Sequence, residues 1–214
     1  LTFIVAIICL LLCACMWQFG SKAVLICAFA GVCITACSYF SLKVFSGFFF
    51  ADYKLRRFTN KLKKQLKEAS TIYIMGHVFS DLDSIGAAYG LYYALRQKYN
   101  VKMVANKQNT LARTLIDFLR FSDQDLKIYD YSEIKDTVDK NSLLIVVDTH
   151  RPVIMDYREL YDRIDRVIII DHHRQSQDFV DQTVARYMKS SASSACEIVT
   201  LIIRLLGIDK PTTV

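Results

Sequence analysis

Three short stretches of the chain combine carboxylate and imidazole side chains, each at the point where an apolar run ends. They are His77, Asp81 and Asp83 after the run at 71–75, Asp148 after the run at 143–147, and Asp171, His172 and His173 after the run at 167–170. Oxygen and nitrogen ligands of these kinds suit Mn²⁺ or a related divalent ion, and enough of them are present for two ions. The residue types therefore predict a two-ion metal site, provided that the three stretches meet in space.

A structural explanation competes with this prediction at each stretch taken alone. An aspartate after a strand commonly caps the next helix, and Asp83 or Ser84 is placed to cap a helix that begins near Ile85. A single histidine is usually a hydrogen-bonded core or surface residue. All three stretches together, each at the end of an apolar run, favour the metal site.

The elements that must position these side chains alternate between strand and helix. Apolar runs typical of strands lie at 71–75, 101–105, 126–129, 143–147 and 167–170, and helical patterns lie at 85–99, at 111–121 and up to about residue 206. This alternation predicts an α/β fold with a doubly wound, mainly parallel sheet, in which ligands gather at the carboxyl ends of the strands. The G-x-G-x-x-G and P-loop patterns are absent from the sequence, so a nucleotide phosphate must be held in another way.

The ordered polar residues resemble the motifs of the DHH phosphoesterase superfamily. The resemblance lies in His77-x-x-x-Asp81-x-Asp83, in Asp148 and in Asp171-His172-His173. The longer stretches GHVFSDLDSIGAA, VVDTHRP and IIDHHR are similar to the membrane-anchored cyclic-di-AMP phosphodiesterases of the GdpP type. The similarity covers about residues 71–205.

The resemblance implies a Mn²⁺-dependent enzyme that hydrolyses cyclic di-AMP to linear pApA, with ligand roles carried over residue by residue. By this resemblance one ion is held by His77 and Asp81, the other by Asp83 and His172, and Asp148 bridges the two. His173 and Arg174 are expected to face substrate phosphate. Ser191 and Ser193 are expected to donate to it at a helix start, although a capped loop explains the serine run equally well.

Two other functions remain open. One is hydrolysis of pApA or short oligonucleotides, and the other is a catalytically incomplete, nucleotide-binding regulatory membrane protein. The resemblance also implies that the DHH domain at 71–214 lacks a later metal-binding aspartate and the DHHA1 domain, so we expect the chain to be part of a longer enzyme.

The first fifty residues carry only two charges, Lys22 and Lys43. The stretches 1–19 and 23–42 are free of charge and approach the length of membrane-spanning helices, which predicts a transmembrane hairpin in contact with lipid. Residues 51–70 have a net charge of +5 and are predicted to form a basic juxtamembrane helix. By the positive-inside rule this cluster places the catalytic part in the cytoplasm, in a multi-pass protein of the cell membrane.

Residues 71–214 have a net charge of −1, which gives no reason to expect binding of double-stranded nucleic acid. The basic segment also carries an apolar stripe with helical spacing: Leu55, Phe58, Leu62, Leu66 and Ala69. Such a stripe can pair two subunits in a homodimer or rest on the following domain. The cysteines form no C-x-x-C pair, so neither a zinc ribbon nor a disulfide framework is predicted.

Overall fold

A computed structural model describes residue 7 and residues 21–108, 110–180 and 182–208. By its internal contacts the chain divides into two compact units, residues 1–54 and residues 55–214.

The helix that begins at Ser21, α1 (Ser21–Glu68), has 48 residues. It includes the stretch 23–42 predicted to be a second span and most of the predicted basic helix. Among the described residues we find no helix whose length and apolar character together suffice to cross a membrane. The predicted first span lies outside the described residues apart from Ile7, and the hairpin stays a prediction.

Six strands described in residues 55–214 form one sheet, and every neighbouring pair is parallel. They are β1 (Ile72–Met75), β2 (Val101–Val104), β3 (Ile128–Tyr129), β4 (Leu143–Val147), β5 (Val167–Asp171) and β6 (Ala185–Met188). Their order in the sheet is β3-β2-β1-β4-β5-β6. The predicted parallel α/β fold is therefore confirmed, and its switch point, where ligands bind in such sheets, lies between β1 and β4.

Helices cover both faces of this sheet. They are α2 (Leu82–Leu95), α3 (Arg113–Ser122), α4 (Tyr131–Ile134), α5 (Arg158–Arg163) and α6 (Ala195–Leu206), with short 3-10 turns at Lys135–Thr137 and Pro152–Ile154. Along β4, Leu143 and Ile145 belong to one apolar core, whereas Leu144 and Val146 belong to the other. Every residue of β4 and β5 is buried, which explains why both strands appear in the sequence as uninterrupted apolar runs.

The apolar stripe at the end of α1 is part of the larger core. Leu55, Phe58, Leu62 and Leu66 are all buried there, and the Phe58 ring lies 5.5 Å from that of Tyr187. The stripe thus rests on the domain, which is one of the two predicted alternatives. A homodimer remains a prediction, but this stripe is not free to form one.

Candidate metal centre

The loops that follow β1, β4 and β5 carry the predicted ligands, and these three strands are neighbours at the centre of the sheet. Two overlapping groups of side chains have ligand atoms within 4.8 Å of one another: His77 with Asp81 and Asp148, and Asp148 with His172 and His173. The three stretches therefore meet as predicted, and Asp148 belongs to both groups.

Asp148 lies at the centre of the site and is only 2% exposed. Its Oδ2 is 3.4 Å from His77 Nε2, and its Oδ1 is 3.4 Å from His172 Nε2. Among the described residues Oδ1 is a buried oxygen without a hydrogen-bond partner. Burial raises the pKa of Asp148, although the hydrogen bond with His77 opposes the rise. A divalent cation fits here because it would give this oxygen the partner that the protein leaves out.

His77 is oriented by its own loop. Its Nδ1 is 2.8 Å from the carbonyl oxygen of Val78, so Nδ1–H donates to that oxygen and Nε2 faces Asp148. The hydrogen bond with Asp148 raises the pKa of His77 to about 9 against the effect of burial. A ring held in this way presents one nitrogen to a metal, as ligating histidines commonly do.

Asp81 is the N-cap of α2. Its Oδ1 accepts hydrogen bonds from the backbone N–H groups of Asp83 and Ser84, each at 3.0 Å. The sequence suggested a cap at Asp83 or Ser84, so the cap lies two or three residues earlier. The loop before it is tight, because a Cβ on Gly76 would stand 2.0 Å from Ser84 Oγ. Capping and metal binding are compatible in Asp81, since the cap occupies one carboxylate oxygen.

Asp83 connects the start of α2 to the start of α6. Its Oδ2 accepts from the N–H of Ala195 at 2.7 Å, and its Oδ1 accepts from the N–H of Cys196 at 2.9 Å. A carboxylate at a helix N-terminus is stabilised by unpaired N–H groups and the helix dipole. The same Oδ2 lies 3.5 Å from His172 Nε2, which keeps Asp83 beside the second group of ligands.

The serine-rich turn has the contacts of a capped loop. Ser194 accepts from the N–H of Glu197, and the N–H and hydroxyl of Ser193 donate to the Glu197 carboxylate at 2.9 and 3.0 Å. Because Asp83 accepts the N–H groups of Ala195 and Cys196, these two donors are not free for substrate phosphate. Arg174, Ser191 and Ser193 are exposed, and their predicted contacts with substrate stay predictions.

The two histidines after β5 face different partners. His172 Nε2 points between Asp148 and Asp83, as a ligand would. His173 Nδ1 is 3.7 Å from Asp148 Oδ1 but only 2.8 Å from Asp171 Oδ1, so Nδ1–H is donated to Asp171. The side chain of His173 is 55% exposed. Within the part of the chain that the structure describes, its Nε2 has no hydrogen-bond partner, which agrees better with contact to substrate than with metal ligation.

Asp171 was among the predicted ligand-type side chains and His150 was not, and the structure pairs the two with each other. Asp171 is fully buried; burial alone would raise its pKa, but hydrogen bonds from His150 and His173 hold that pKa below its usual value. His150 is also buried, at 2% exposure, and contacts Asp171 through Nδ1. The sequence does place His150 two residues after Asp148, near the predicted ligands, but this spacing does not show that His150 faces Asp171.

Cys196 takes no part as a reactive thiol. Burial, followed by a hydrogen bond with Asp83, raises its pKa to about 12. Its thiol donates to the backbone oxygen of Asp83 at 3.4 Å, so it acts as a small packing residue between α2 and α6.

The fold and the site together define an α/β protein with a candidate two-ion metal centre at the switch point of a parallel sheet. The sequence profile described as the DHH family, N-terminal domain, matches residues 71–213. The chain therefore belongs to the DHH family, and the resemblance seen in its motifs is confirmed.

Over 151 residues the chain is 32% identical to the cyclic-di-AMP phosphodiesterase GdpP of Geobacillus thermodenitrificans (strain NG80-2) and 29% identical to that of Bacillus subtilis (strain 168). Each match covers 69% of this chain and 23% of the relative, so the chain spans less than a quarter of the length of these relatives. A crystal structure of an exopolyphosphatase-related protein from Bacteroides fragilis has a TM-score of 0.53 at 25% identity, covering 71% of this chain and 44% of that one.

Proposed function

We propose that the chain is the metal-binding part of a phosphodiesterase that opens cyclic di-AMP to linear pApA with two Mn²⁺ ions. The observation that carries the proposal is the buried, unpartnered Oδ1 of Asp148, with imidazole nitrogens of His77 and His172 beside the same carboxylate. The similarity to GdpP proteins supports the choice of substrate.

The proposed ligands divide between two positions that share Asp148. His77 and Asp81 would hold one ion, and Asp83 and His172, which lie beside each other, would hold the other. Two such ions, when bound, lower the pKa of a water and offset the negative charge that develops on phosphate.

Side chains of the protein orient the group that contacts substrate. Asp171 accepts the Nδ1–H of His173 and so fixes the direction of that ring. The Nε2 of His173, for which the described residues provide no hydrogen-bond partner, is available to a phosphate oxygen of the substrate. Because Asp148 is buried, its carboxylate is shielded from bulk water, which strengthens its electrostatic contacts.

The test combines metal analysis with product analysis of the full chain. We compare the native protein with Asp148→Asn and, as a matched control, with Asp162→Asn, which changes an exposed aspartate paired with Arg158. The native and control proteins should bind Mn²⁺ but release pApA from cyclic di-AMP only weakly, because the chain spans 23% of the length of the GdpP relatives. Asp148→Asn should lose most bound metal and reduce turnover by about a hundredfold or more.

The outcomes separate the two parts of the proposal. Undiminished Mn²⁺ binding by Asp148→Asn would reject the shared-ligand assignment. Cleavage of pApA or short oligonucleotides in preference to cyclic di-AMP by the metal-loaded native protein would reject cyclic di-AMP as substrate and leave the metal centre standing.

Attachment to the cell membrane, with residues 51–214 in the cytoplasm, forms a further part of the proposal. Its support is the charge-free character of 1–19 and 23–42 and the basic residues that follow. In a protein without native cysteines, a cysteine replacing the exposed Lys63 should resist a membrane-impermeant thiol reagent until cells are permeabilised. Labelling in intact cells would contradict this topology.

A further inference from the structure

His150 forms a buried hydrogen-bonded link behind the metal centre. The residue lies in the loop after β4 and is 2% exposed. Its Nδ1 contacts Asp171 Oδ2, and its Nε2 lies 3.0 Å from both the backbone nitrogen and the hydroxyl oxygen of Ser176. His150 therefore joins the loop after β5 to Oδ2 of Asp171, whereas His173 contacts Oδ1.

The tautomer of His150 follows from one of these contacts. The backbone N–H of Ser176 can only donate, so His150 Nε2 must accept. The proton of the neutral ring is then on Nδ1, where it is donated to Asp171. The backbone N–H of Ser176, which can only donate, thus fixes the direction of the hydrogen bond from His150 to Asp171.

Asp171 also contacts His173, the residue proposed to face substrate. Its Oδ2 is occupied by His150, and its Oδ1 accepts from the backbone N–H of His173 at 3.1 Å and from the ring Nδ1–H at 2.8 Å. With both oxygens occupied and the residue fully buried, the carboxylate plane has little freedom to rotate.

We infer that His150 is a positioning residue: by holding Asp171 in one orientation, it fixes the tautomer and direction of the His173 ring. In the proposed function, on which this role in catalysis rests, the ring would then present Nε2 to substrate phosphate. His150 acts through Asp171.

Two substitutions distinguish this role from simple packing. In His150→Asn the amide N–H lies near the position of Nδ1, so donation to Asp171 is retained although the bond from Ser176 is lost. In His150→Leu both bonds are lost and a buried carboxylate oxygen is left without its donor. Ser176→Ala is the matched control, because its backbone N–H is unchanged.

The first measurement is nitrogen-15 NMR of histidine rings in the metal-free full chain. The native protein, Ser176→Ala and His150→Asn should show one His173 tautomer with the proton on Nδ1. His150→Leu should show a mixture of the two tautomers. This readout needs neither metal nor substrate, so it stays informative if cyclic di-AMP proves not to be the substrate.

The second measurement is turnover of cyclic di-AMP by the Mn²⁺-loaded proteins. We expect His150→Leu to lower kcat by about 10- to 100-fold, as loss of groups that orient an active-site side chain commonly does, and His150→Asn to recover most of it. A single Nδ1–H tautomer of His173 in His150→Leu would overturn the inference. The inference would also be overturned if His150→Asn and His150→Leu showed the same mixture of His173 tautomers, because altered packing alone would then explain both variants.

Discussion

At the scale of single residues, the site contains two left-handed backbone conformations that are unusual outside glycine. Phe79 has a φ of 59° and Asp148 has a φ of 61°. Aspartate tolerates this region, whereas an aromatic residue there costs about 1 kcal/mol. Phe79 lies between two proposed ligands, His77 and Asp81, so its turn reverses the chain where both must face the same site. Strain of this kind is typical of functional loops.

Replacing Phe79 should separate this strain from the aromatic ring. The ring is 55% exposed, so little packing is lost when it is removed. We expect Phe79→Gly to be more stable than Phe79→Ala by about 1 kcal/mol, because only glycine relieves the backbone. Chemical denaturation of the metal-free proteins measures the difference. Equal free energies of unfolding would show that this loop stores no strain.

Asp156 should make the stability of the metal-free protein depend on pH. Burial raises its pKa to about 6, although the Asn106 N–H donates to it. A carboxyl group whose pKa is raised in the folded state contributes stability below its usual pKa of 3.8 and loses that contribution as pH rises through about 6. Above pH 7 we therefore expect Asp156→Asn to be more stable than the native protein by about 2 kcal/mol.

The measurement for Asp156 is urea denaturation in the presence of a chelator between pH 4 and 8. The difference between Asp156→Asn and native protein should grow from pH 4 to 6 and then level off. Asp162→Asn, at an exposed aspartate, should follow the native curve. A difference that does not change with pH would mean that Asp156 keeps its usual pKa.

At the scale of elements, Asp83 both anchors α6 and stands beside His172. Asp83→Asn loses one of two acceptors for N–H groups at the helix start and one proposed metal ligand. Ser194→Ala loses only the cap of the same helix. Both variants should lose about 1 kcal/mol of stability, but only Asp83→Asn should weaken Mn²⁺ binding. Titration calorimetry alongside thermal melting checks this, and unchanged Mn²⁺ affinity in Asp83→Asn would remove it from the ligand set.

The elements that the sequence predicted are those with a strong local pattern. The runs that become β4 and β5 are recognisable because burial on both faces makes every position apolar. The strand β6 was not predicted, because it is short and alternates buried Ala185 and Tyr187 with exposed Arg186. The pairing of His150 with Asp171 escaped for another reason: it joins residues 21 apart whose proximity depends on β4 pairing with β5.

At the scale of the whole molecule, residues 55–68 contribute to the fold although the family match begins at residue 71. The buried stripe on α1 is one reason. Arg166 is the other, because its guanidinium donates to the Gln65 side chain and to the backbone oxygen of Glu68. The change of sequence pattern after Ser70 marks where the alternation of strands and helices begins, and the core extends beyond it.

A shortened chain that begins at Thr71 should therefore fail to fold stably, whereas one that begins at Tyr53 should fold. The longer version retains the buried side chains of Leu55, Phe58, Leu62 and Leu66. Burial of such side chains stabilises by about 1.5 to 3 kcal/mol each, so losing four approaches the entire stability of a typical domain. Circular dichroism melting and Mn²⁺ binding of both versions measure the effect. If the two melted within a few degrees of each other, the end of α1 would be an accessory to the sheet, and the core would be complete without it.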